Sequence, residues 1–449
     1  MGTTDNIARA MAAAASAKVV NTERVLKLLR LFEGASNGRN PYDRELATGV
    51  TVTVNTATDV SLGAVAPLAS GNPATLTSAA LNQIAWYGGI PKNVGNGASK
   101  YVTVVSTSSA PGNGNLQTWA GTNGITADMS GWSSALEIET DMQTIEIGCY
   151  LASTRYVTVQ VNGQYVDKVG HTNATGNADS FIRIAFAAPG VNRVRLSFGP
   201  GLSGSATFPF QIRGAAGFSF WKPDQSQVVR TAVLGDSYTE PQGDNVFVYP
   251  NGGMMDIAAE RLGIRDKRTL GVGGCGIIAT NGGTRSNLRA QMGRTLDPAG
   301  ALYQGPFHLL VEMNGFNDYS FVAQVEAELL YDLRWARALH PDLPMVVLGS
   351  QCGRRGPDAG TLAVEDAKQA AVVAFNDPMC KFVPVARAID PWTSGTGYNG
   401  APVGSDISNA AISSDSIHPS SIANGAGHRR LGYRATAGIW GAVRSMMPA

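Results

Sequence analysis

The sequence predicts an α/β protein in which a doubly wound parallel sheet follows a jelly-roll-like β-sandwich and a short N-terminal helical segment. From about residue 46 to 220, hydrophobic and polar residues alternate in short runs, which is typical of half-buried antiparallel strands. From about residue 229, continuous apolar strands alternate with helical segments, which is typical of a parallel sheet covered on both faces. We therefore expect three parts, at 1–45, 46–222 and 229–449.

The composition excludes some partners. The 449 residues leave room for two or three domains of about 150 residues each. The 35 basic and 34 acidic residues nearly cancel, and no run of like charge points to a nucleic-acid or anionic-membrane partner. No apolar run reaches the roughly 18 residues that a membrane span needs.

The N-terminal part is helical in pattern. Thr3, Thr4 or Asp5 can cap a first helix, and the alanine run that follows is too weakly apolar for a good signal peptide. The stretch RVLKLLRLFEG (24–34) is helical and stops at Gly34. It is expected to pack on the body of the protein or on a second copy of the chain, which would form a homo-oligomer. The sequence does not select one cellular location; an extracellular, cell-surface or virion location is among the expectations.

The strands of the expected sandwich are short. The dipeptide Asn162-Gly163 predicts a hairpin with a tight turn. The alternating segments are 50–56, 101–105, 135–151, 156–166, 181–186 and 192–198. Aromatic side chains in this part can stack on sugar rings, although each is more simply a core or surface aromatic: Trp86, Trp119, Trp132, Tyr150 and Tyr156.

In the last part, strands and helices alternate. Strands are expected at 228–236, 307–315, 344–351 and 381–386, and helices at 254–263, 322–340, 362–376 and 428–447. Ligands of such a sheet bind at the carboxyl ends of its strands. Four polar segments fall at that edge: Gly235-Asp236-Ser237, the glycine turn 271–276, Gly315-Phe316-Asn317-Asp318, and Asp415 to His418.

Each of these segments alone would be interpreted as a turn, a helix cap or a loop. Together they supply the parts of an acyl-transfer site. A serine hydroxyl becomes a good nucleophile when an imidazole takes its proton, and an acidic side chain holds the imidazole in place. Asp415 lies three residues before His418, so that one loop can supply both. Glycine N–H groups and an asparagine amide can stabilise the oxyanion.

The chain from about 229 to 447 resembles the SGNH (GDSL) hydrolase superfamily. Its four blocks are similar to GDS at 235–237, a glycine at 274, G-x-N-D at 315–318 and D-x-x-H at 415–418. The resemblance implies a parallel sheet of flavodoxin-like order, no cofactor and no metal. It also implies a catalytic triad of Ser237, His418 and Asp415, and an oxyanion hole formed by the Ser237 N–H, the Gly274 N–H and the Asn317 side chain.

Two positions depart from the usual blocks. Tyr238 stands where leucine is common, and Thr269 stands where the second block often begins with asparagine. Because Gly273 is adjacent to Gly274, the N–H of Gly273 is the alternative candidate for the second oxyanion donor. Asp236 and Asp318 belong to the matched blocks and are expected to support the site from behind.

Other motifs and the cysteines have simpler interpretations. The G-x-S-x-G at 34–38 lacks the preceding strand that a nucleophile turn needs. The G-x-G-x-x-G at 271–276 lacks a fitting acidic strand end about 20 residues on, so a nucleotide cofactor is not expected. The four cysteines show no metal-ligand spacing and are predicted to be buried free thiols.

A β-sandwich ahead of a GDS-type domain resembles two-domain carbohydrate acetylesterases. The leading hypothesis is therefore an esterase that removes O-acetyl groups from a polysaccharide, with an acetylated glycan or another small ester as substrate. A lipase, arylesterase or thioesterase of the same superfamily is the first alternative. A glycan-binding surface protein or a structural protein of a virion is the second.

Overall fold

A computed structural model of the chain describes residues 22–35, 46–64, 83–88, 90–93, 102–105, 134–151, 157–168, 170–171, 178–198, 208–215, 219–239, 252–280, 282–283, 287–300, 303, 305–353, 356–393, 417–419 and 422–447. A search of these residues finds no helix that is long and apolar enough to cross a lipid bilayer.

Antiparallel strands occupy the first half of the described chain. One sheet has the order β1-β10-β7-β12-β2, and a second has the order β13-β6-β11-β8-β9, with β3 also paired to β6. A separate pair is formed by β4 and β5. The bounds are β1 Val50–Asn55, β2 Gly63–Ala64, β3 Ala85–Tyr87, β4 Ile90–Asn93, β5 Val102–Val105, β6 Ser134–Thr140, β7 Thr144–Leu151, β8 Val157–Val161, β9 Gln164–Tyr165, β10 Ala178–Phe186, β11 Asn192–Phe198, β12 Phe208–Gly214 and β13 Phe220–Trp221.

The two larger antiparallel sheets share one hydrophobic cluster. Alternate residues of β6, β8 and β11 face alternate residues of β7, β10 and β12 in it, as the period of two requires. Two carboxylates are also fully buried here: Glu146 pairs with Arg183 at 3.0 Å, and Glu137 pairs with Arg193 at 2.8 Å. These pairs offset the cost of burying the charges.

The second half contains a five-stranded parallel sheet of order β15-β14-β16-β17-β18. Its strands are β14 Arg230–Gly235, β15 Asp266–Gly271, β16 Leu309–Glu312, β17 Met345–Leu348 and β18 Cys380–Val383. Successive residues of the central strands point to opposite faces. Val233 and Val311 lie in one hydrophobic cluster, whereas Leu234 and Leu310 lie in another. Both faces of the sheet are therefore covered, as the apolar strands predict.

Helices cover the two faces of this sheet. They are α1 Thr22–Ala35, α2 Met254–Arg261, α3 Leu288–Thr295, α4 Val322–Leu339, α5 Ala359–Phe375 and α6 Ile422–Arg444. Residues of α1, α2 and α6 contribute to one cluster, and residues of α3, α4 and α5 contribute to the other. Helix α3 was not expected from the hydrophobic pattern; it is a short helix in which the Asn287 side chain accepts a hydrogen bond from the Ala290 N–H at 3.2 Å.

Helix α1 packs on the parallel-sheet part of the same chain. Val25, Leu28 and Phe32 are fully buried in the cluster formed with α2 and α6. The Phe32 ring lies 6.4 Å from that of Trp440, and Arg24 pairs with Asp342 at 3.2 Å. The apolar face of this helix is thus covered by the protein itself. Formation of a homo-oligomer through residues 1–45 stays a prediction, and the capping residues Thr3, Thr4 and Asp5 lie outside the described residues.

Strand β15 is buried along its whole length although its sequence, DKRTLG, begins with three charged residues. Asp266 accepts hydrogen bonds from Arg268 and Arg230, both at 2.6 Å. Lys267 pairs with the buried Asp256 of α2 at 2.5 Å. Because each charge has a partner of opposite sign, the strand can lie in the interior.

The antiparallel and parallel parts are joined by polar contacts around the same strand. Arg265 donates to the buried carboxylate of Glu137, and the Arg265 carbonyl accepts from Arg195 at 3.0 Å. The Gly88 N–H donates to Asp266 at 3.2 Å. The two parts are therefore fixed to each other by hydrogen bonds between buried or half-buried groups.

Cys149, Cys275, Cys352 and Cys380 are buried thiols outside any disulfide, as predicted. Burial raises the pKa of the Cys352 thiol to about 11 and raises the pKa of the Cys380 thiol still further. Both thiols are therefore protonated near neutral pH, which suits an inert structural role.

One buried carboxylate organises the carboxyl ends of β17 and β18. Glu365 of α5 is fully buried and accepts hydrogen bonds from four backbone N–H groups, at distances of 2.7–3.0 Å. The donors are Ser350, Val385, Ala386 and Arg387. A Cβ at Gly349 would come within 2.3 Å of a Glu365 oxygen. The Glu365 carboxylate thus serves as the hydrogen-bond acceptor for backbone N–H groups that lie just beyond the ends of β17 and β18.

Replacing Glu365 by glutamine should lower the free energy of unfolding by about 3 kcal/mol, because an NH₂ group would face backbone donors that lose their acceptor. Chemical denaturation measures this change. The neighbouring Asp366→Asn is the control, since its pair with Arg387 at 2.5 Å is about half exposed and should contribute less than about 0.5 kcal/mol. Equal stability of Glu365→Gln and wild type would contradict the assigned role.

Candidate active site

The turn after β14 carries the first predicted segment. Gly235 ends the strand, and a Cβ there would lie 2.4 Å from Thr239 and 2.9 Å from Met313, so only glycine fits. The Gly235 carbonyl accepts hydrogen bonds from the Val272 N–H at 3.0 Å and from the fully buried Gln291 side chain at 3.1 Å. This turn presents Asp236 and Ser237, which are 0% and 4% exposed, at the carboxyl edge of the sheet.

The carboxyl group of Asp236 is fully buried directly before Ser237. One of its oxygens accepts the Tyr238 N–H at 3.0 Å, and the other has no hydrogen-bond partner among the residues that the structure describes. Burial raises the pKa of Asp236 from 3.8 to about 7. The Tyr238 N–H and the electrostatic interactions with His418 and Lys368 act in the opposite direction and lower this pKa. His418 and Lys368 therefore both lie within electrostatic range of Asp236.

The raised pKa of Asp236 makes stability depend on pH. Between about pH 4 and pH 7 the folded protein holds a proton that the unfolded chain releases, so that the free energy of unfolding falls as pH rises through this window. Asp236→Asn keeps an acceptor for the Tyr238 N–H and cannot ionise. We expect a shallower decline of stability for this variant, measured by urea denaturation at a series of pH values.

The matched comparison is Asp332→Asn. Burial also raises the pKa of Asp332 to about 7, and this carboxylate lies on α4. That variant should flatten the same pH window on its own, and the double variant should flatten it further. If Asp236→Asn follows the wild-type curve, Asp236 is not the group that titrates there.

Tyr238 connects this turn to the histidine segment. Its hydroxyl donates to the Ile417 carbonyl at 2.6 Å. Its ring lies 5.6 Å from the His418 ring and 5.5 Å from the Phe316 ring. The residue after Ser237 thus contacts the His418 segment as well as the segment at 315–318. The departure from leucine at this position supplies a hydrogen bond that leucine could not form.

The glycine turn 271–276 is held by Asp318. The Asp318 carboxylate accepts the Ile277 N–H at 2.7 Å and the Ile278 and Ala279 N–H groups at 3.0 Å. A Cβ at Gly276 would lie 2.3 Å from an Asp318 oxygen, which explains this glycine. Asp318 is fully buried, and its side chain fixes the residues that directly follow this turn.

The expected oxyanion donors lie on these two segments. Gly274 has a positive φ of +76° and is half-buried at the turn, whereas Gly273 is buried. The Asn317 amide donates to the Cys275 carbonyl at 2.6 Å. A carboxamide carries two N–H hydrogens, so this bond orients the Asn317 group and leaves one hydrogen for a further acceptor.

The described site thus contains Ser237, Gly274, Asn317, Asp236, Asp318 and His418, the last of which is 9% exposed. Asp415 lies outside the described residues, as do Trp119, Trp132 and Tyr156 and the side chain of Tyr150. Trp86 is partly buried against the hydrophobic cluster of the two larger antiparallel sheets. Sequence reasoning missed Gln291 and Lys368, because single polar residues within helical patterns carry no motif.

Among the residues that the structure describes, no group of three or more His, Cys, Asp or Glu side chains could hold a metal ion.

Comparison with solved structures identifies the class of fold. No protein-family model matches the sequence, and no curated protein matches it either. Solved structures share the overall fold that the four blocks predict, at 12–14% sequence identity, and this likeness concerns the fold alone.

Two solved structures are similar over most of their length. The salicylyl-acyltransferase SsfX3 from a tetracycline biosynthetic pathway has 14% identity and a TM-score of 0.57, over 80% of this chain and 94% of that chain. A family two carbohydrate esterase from Cellvibrio japonicus has 12% identity and a TM-score of 0.53, over 89% of this chain and 100% of that chain.

Proposed function

We propose that the protein is a serine esterase of the SGNH type that removes O-acetyl groups from a polysaccharide. In this proposal Ser237 is the nucleophile, His418 is the general base, and Asp415 orients the imidazole. The Ser237 N–H, the Gly274 N–H and the Asn317 amide stabilise the oxyanion.

One observation carries the proposal: Tyr238, next to Ser237, hydrogen-bonds to Ile417 and packs against His418. A link of this kind holds the serine turn and the histidine segment at the same edge of the sheet although they are 181 positions apart in the chain, from 237 to 418. An electrostatic interaction with His418 also lowers the pKa of Asp236, which agrees with an imidazole close to this turn.

The proposed chemistry follows from these groups. The Ser237 hydroxyl attacks the ester carbonyl while His418 takes its proton, and the oxyanion accepts hydrogen bonds from the three donors. The leaving alcohol takes the proton from His418, and an acyl-enzyme remains on Ser237. A water molecule activated by His418 then releases the acid and restores the serine. Each oxyanion donor is worth about 3 kcal/mol in such a reaction.

The substrate class is proposed from the architecture. Antiparallel sheets precede the parallel sheet and are fixed to it by hydrogen bonds, as expected for a jelly-roll-like accessory domain at 46–222 beside a catalytic domain at 229–449. The similar structure from Cellvibrio japonicus is by its name a carbohydrate esterase. Both features support an acetylated glycan as the substrate.

The purified protein is to be assayed for acetate release from acetylated polysaccharides and for hydrolysis of p-nitrophenyl esters of increasing chain length. We expect acetate release and the highest rate on the acetyl ester. Highest activity on long acyl chains without acetate release from any glycan would exclude the acetylesterase. Absence of hydrolysis on every ester would exclude the esterase altogether.

A further inference from the structure

Lys368 of α5 is a fully buried lysine that the proposed chemistry does not use. Its ammonium group lies at the carboxyl end of β16, where it pairs with Glu312 at 3.0 Å and donates to the Asn314 carbonyl. Burial of an ammonium group is costly unless it is paired and hydrogen-bonded, and replacement of such a pair by apolar side chains is often neutral for stability. Its position therefore calls for an explanation other than stability.

The pair holds one peptide segment from both sides. The Glu312 carboxylate accepts a hydrogen bond from the Asn314 N–H at 2.6 Å. The Lys368 ammonium group donates a hydrogen bond to the carbonyl of the same residue. The backbone of Asn314 is thus fixed at both of its polar groups. Asn314 is the last residue before the segment Gly315-Phe316-Asn317-Asp318.

The fixed peptide determines where that segment begins. Gly315 has a φ of +140°, which only glycine adopts readily, and a Cβ there would lie 3.4 Å from Lys368 and from Val364. A 3₁₀ turn over Phe316–Asp318 follows at once. It carries Asn317, which reaches the Cys275 carbonyl, and Asp318, which binds the turn at 277–279. A shift at Asn314 would therefore displace both segments that carry the expected oxyanion donors.

We infer that Lys368 is a positioning residue of the active site, which holds the Asn314 carbonyl and thereby sets the position of the Asn317 amide. This inference rests on the proposed esterase function. Lys368 acts through the backbone and does not touch the substrate. The Glu312 carboxylate holds the N–H of the same peptide segment. Burial raises the pKa of Glu312 and the charge of Lys368 opposes this rise, which agrees with an interacting pair in the interior.

The test compares Lys368→Met with Lys267→Met. Both variants remove a buried lysine that is paired with a carboxylate, but Lys267 lies near the amino end of β15 and pairs with Asp256. We expect Lys368→Met to lower kcat for an acetyl ester about 10- to 100-fold with KM within about twofold, because an oxyanion donor acts only as charge develops. Lys267→Met should keep the wild-type kcat.

Hydrogen exchange supplies a readout that does not need activity. The N–H groups of residues 277–279 should exchange faster in Lys368→Met and at the wild-type rate in Lys267→Met. If Lys368→Met does not fold, the double variant Lys368→Met with Glu312→Gln, which leaves no lone charge, takes its place in both measurements.

The outcomes separate this inference from the proposed function. Absence of ester hydrolysis by the wild-type protein would overturn the proposed esterase function. Hydrogen exchange at 277–279 as slow in Lys368→Met as in wild type would overturn the positioning role, whatever the activity. In an active enzyme, wild-type kcat in Lys368→Met would overturn the inference alone. A loss of kcat equal to that of Lys267→Met would also overturn it, since it would reflect general destabilisation.

Discussion

Replacing Ser237 by alanine is expected to lower the rate of ester hydrolysis by at least about 10³-fold and to leave the protein folded. The change removes one oxygen and keeps the backbone N–H, so that the turn held by Gly235 and Gln291 is preserved. Ser237 is 4% exposed, and removal of its single hydroxyl oxygen leaves only a small cavity. Rates are measured on an acetyl ester, and thermal unfolding is measured on the same sample.

The control for this prediction is Ser350→Ala. Ser350 is 1% exposed and follows β17, so the same hydroxyl is removed near the carboxyl end of another strand of the same sheet. This variant should keep the wild-type rate. A fluorophosphonate that labels active serines should modify wild type and Ser350→Ala but not Ser237→Ala. Turnover by Ser237→Ala close to that of wild type would refute the assignment of the nucleophile.

His418→Ala should reduce ester hydrolysis by a similar factor, because without a base the serine hydroxyl stays protonated and is a weak nucleophile. The bond from the Tyr238 hydroxyl goes to the Ile417 carbonyl, which the substitution does not remove. The segment should therefore stay close to its position. Added imidazole should restore part of the rate, since a free base can enter the space that the side chain leaves.

The control for the histidine is His308→Ala. His308 precedes β16 at the amino end of the sheet, where its ring accepts the Arg230 N–H at 3.1 Å. Burial lowers the pKa of His308 to about 4, so the control removes a histidine that is neutral near pH 7. It should retain the wild-type rate per folded molecule. If His308→Ala loses activity and His418→Ala keeps it, the base has been assigned to the wrong residue.

The residues of the candidate site could be selected from the sequence because they fall in four short blocks whose order along the chain is visible. Ser237, Asn317 and His418 lie next to strand ends or a helix start that the hydrophobic pattern already locates. The contacts between the blocks were not predictable. The bond from Tyr238 to Ile417 and the binding of residues 277–279 by Asp318 join positions 179 and 39–41 residues apart. No local pattern reports such pairings.

Parts of the fold were hidden for a similar reason. Strand β15 begins with Asp266, Lys267 and Arg268, and charged residues are rarely fully buried unless they are paired. Its burial depends on Arg230 and Asp256, which come from other elements. Helix α3 was missed because it is short and weakly apolar, and its N-terminal cap alone does not predict a helix.

The sequence by itself determined the change from alternating strands to a parallel α/β pattern and the four blocks that resemble SGNH hydrolases, because both depend on neighbours in the chain. Only the tertiary structure decided that α1 covers its own chain and that Glu365 and Lys368 reach inward to the strand ends. The cost of burying a charge depends on which partner the fold brings to it, and that partner lies far away in sequence.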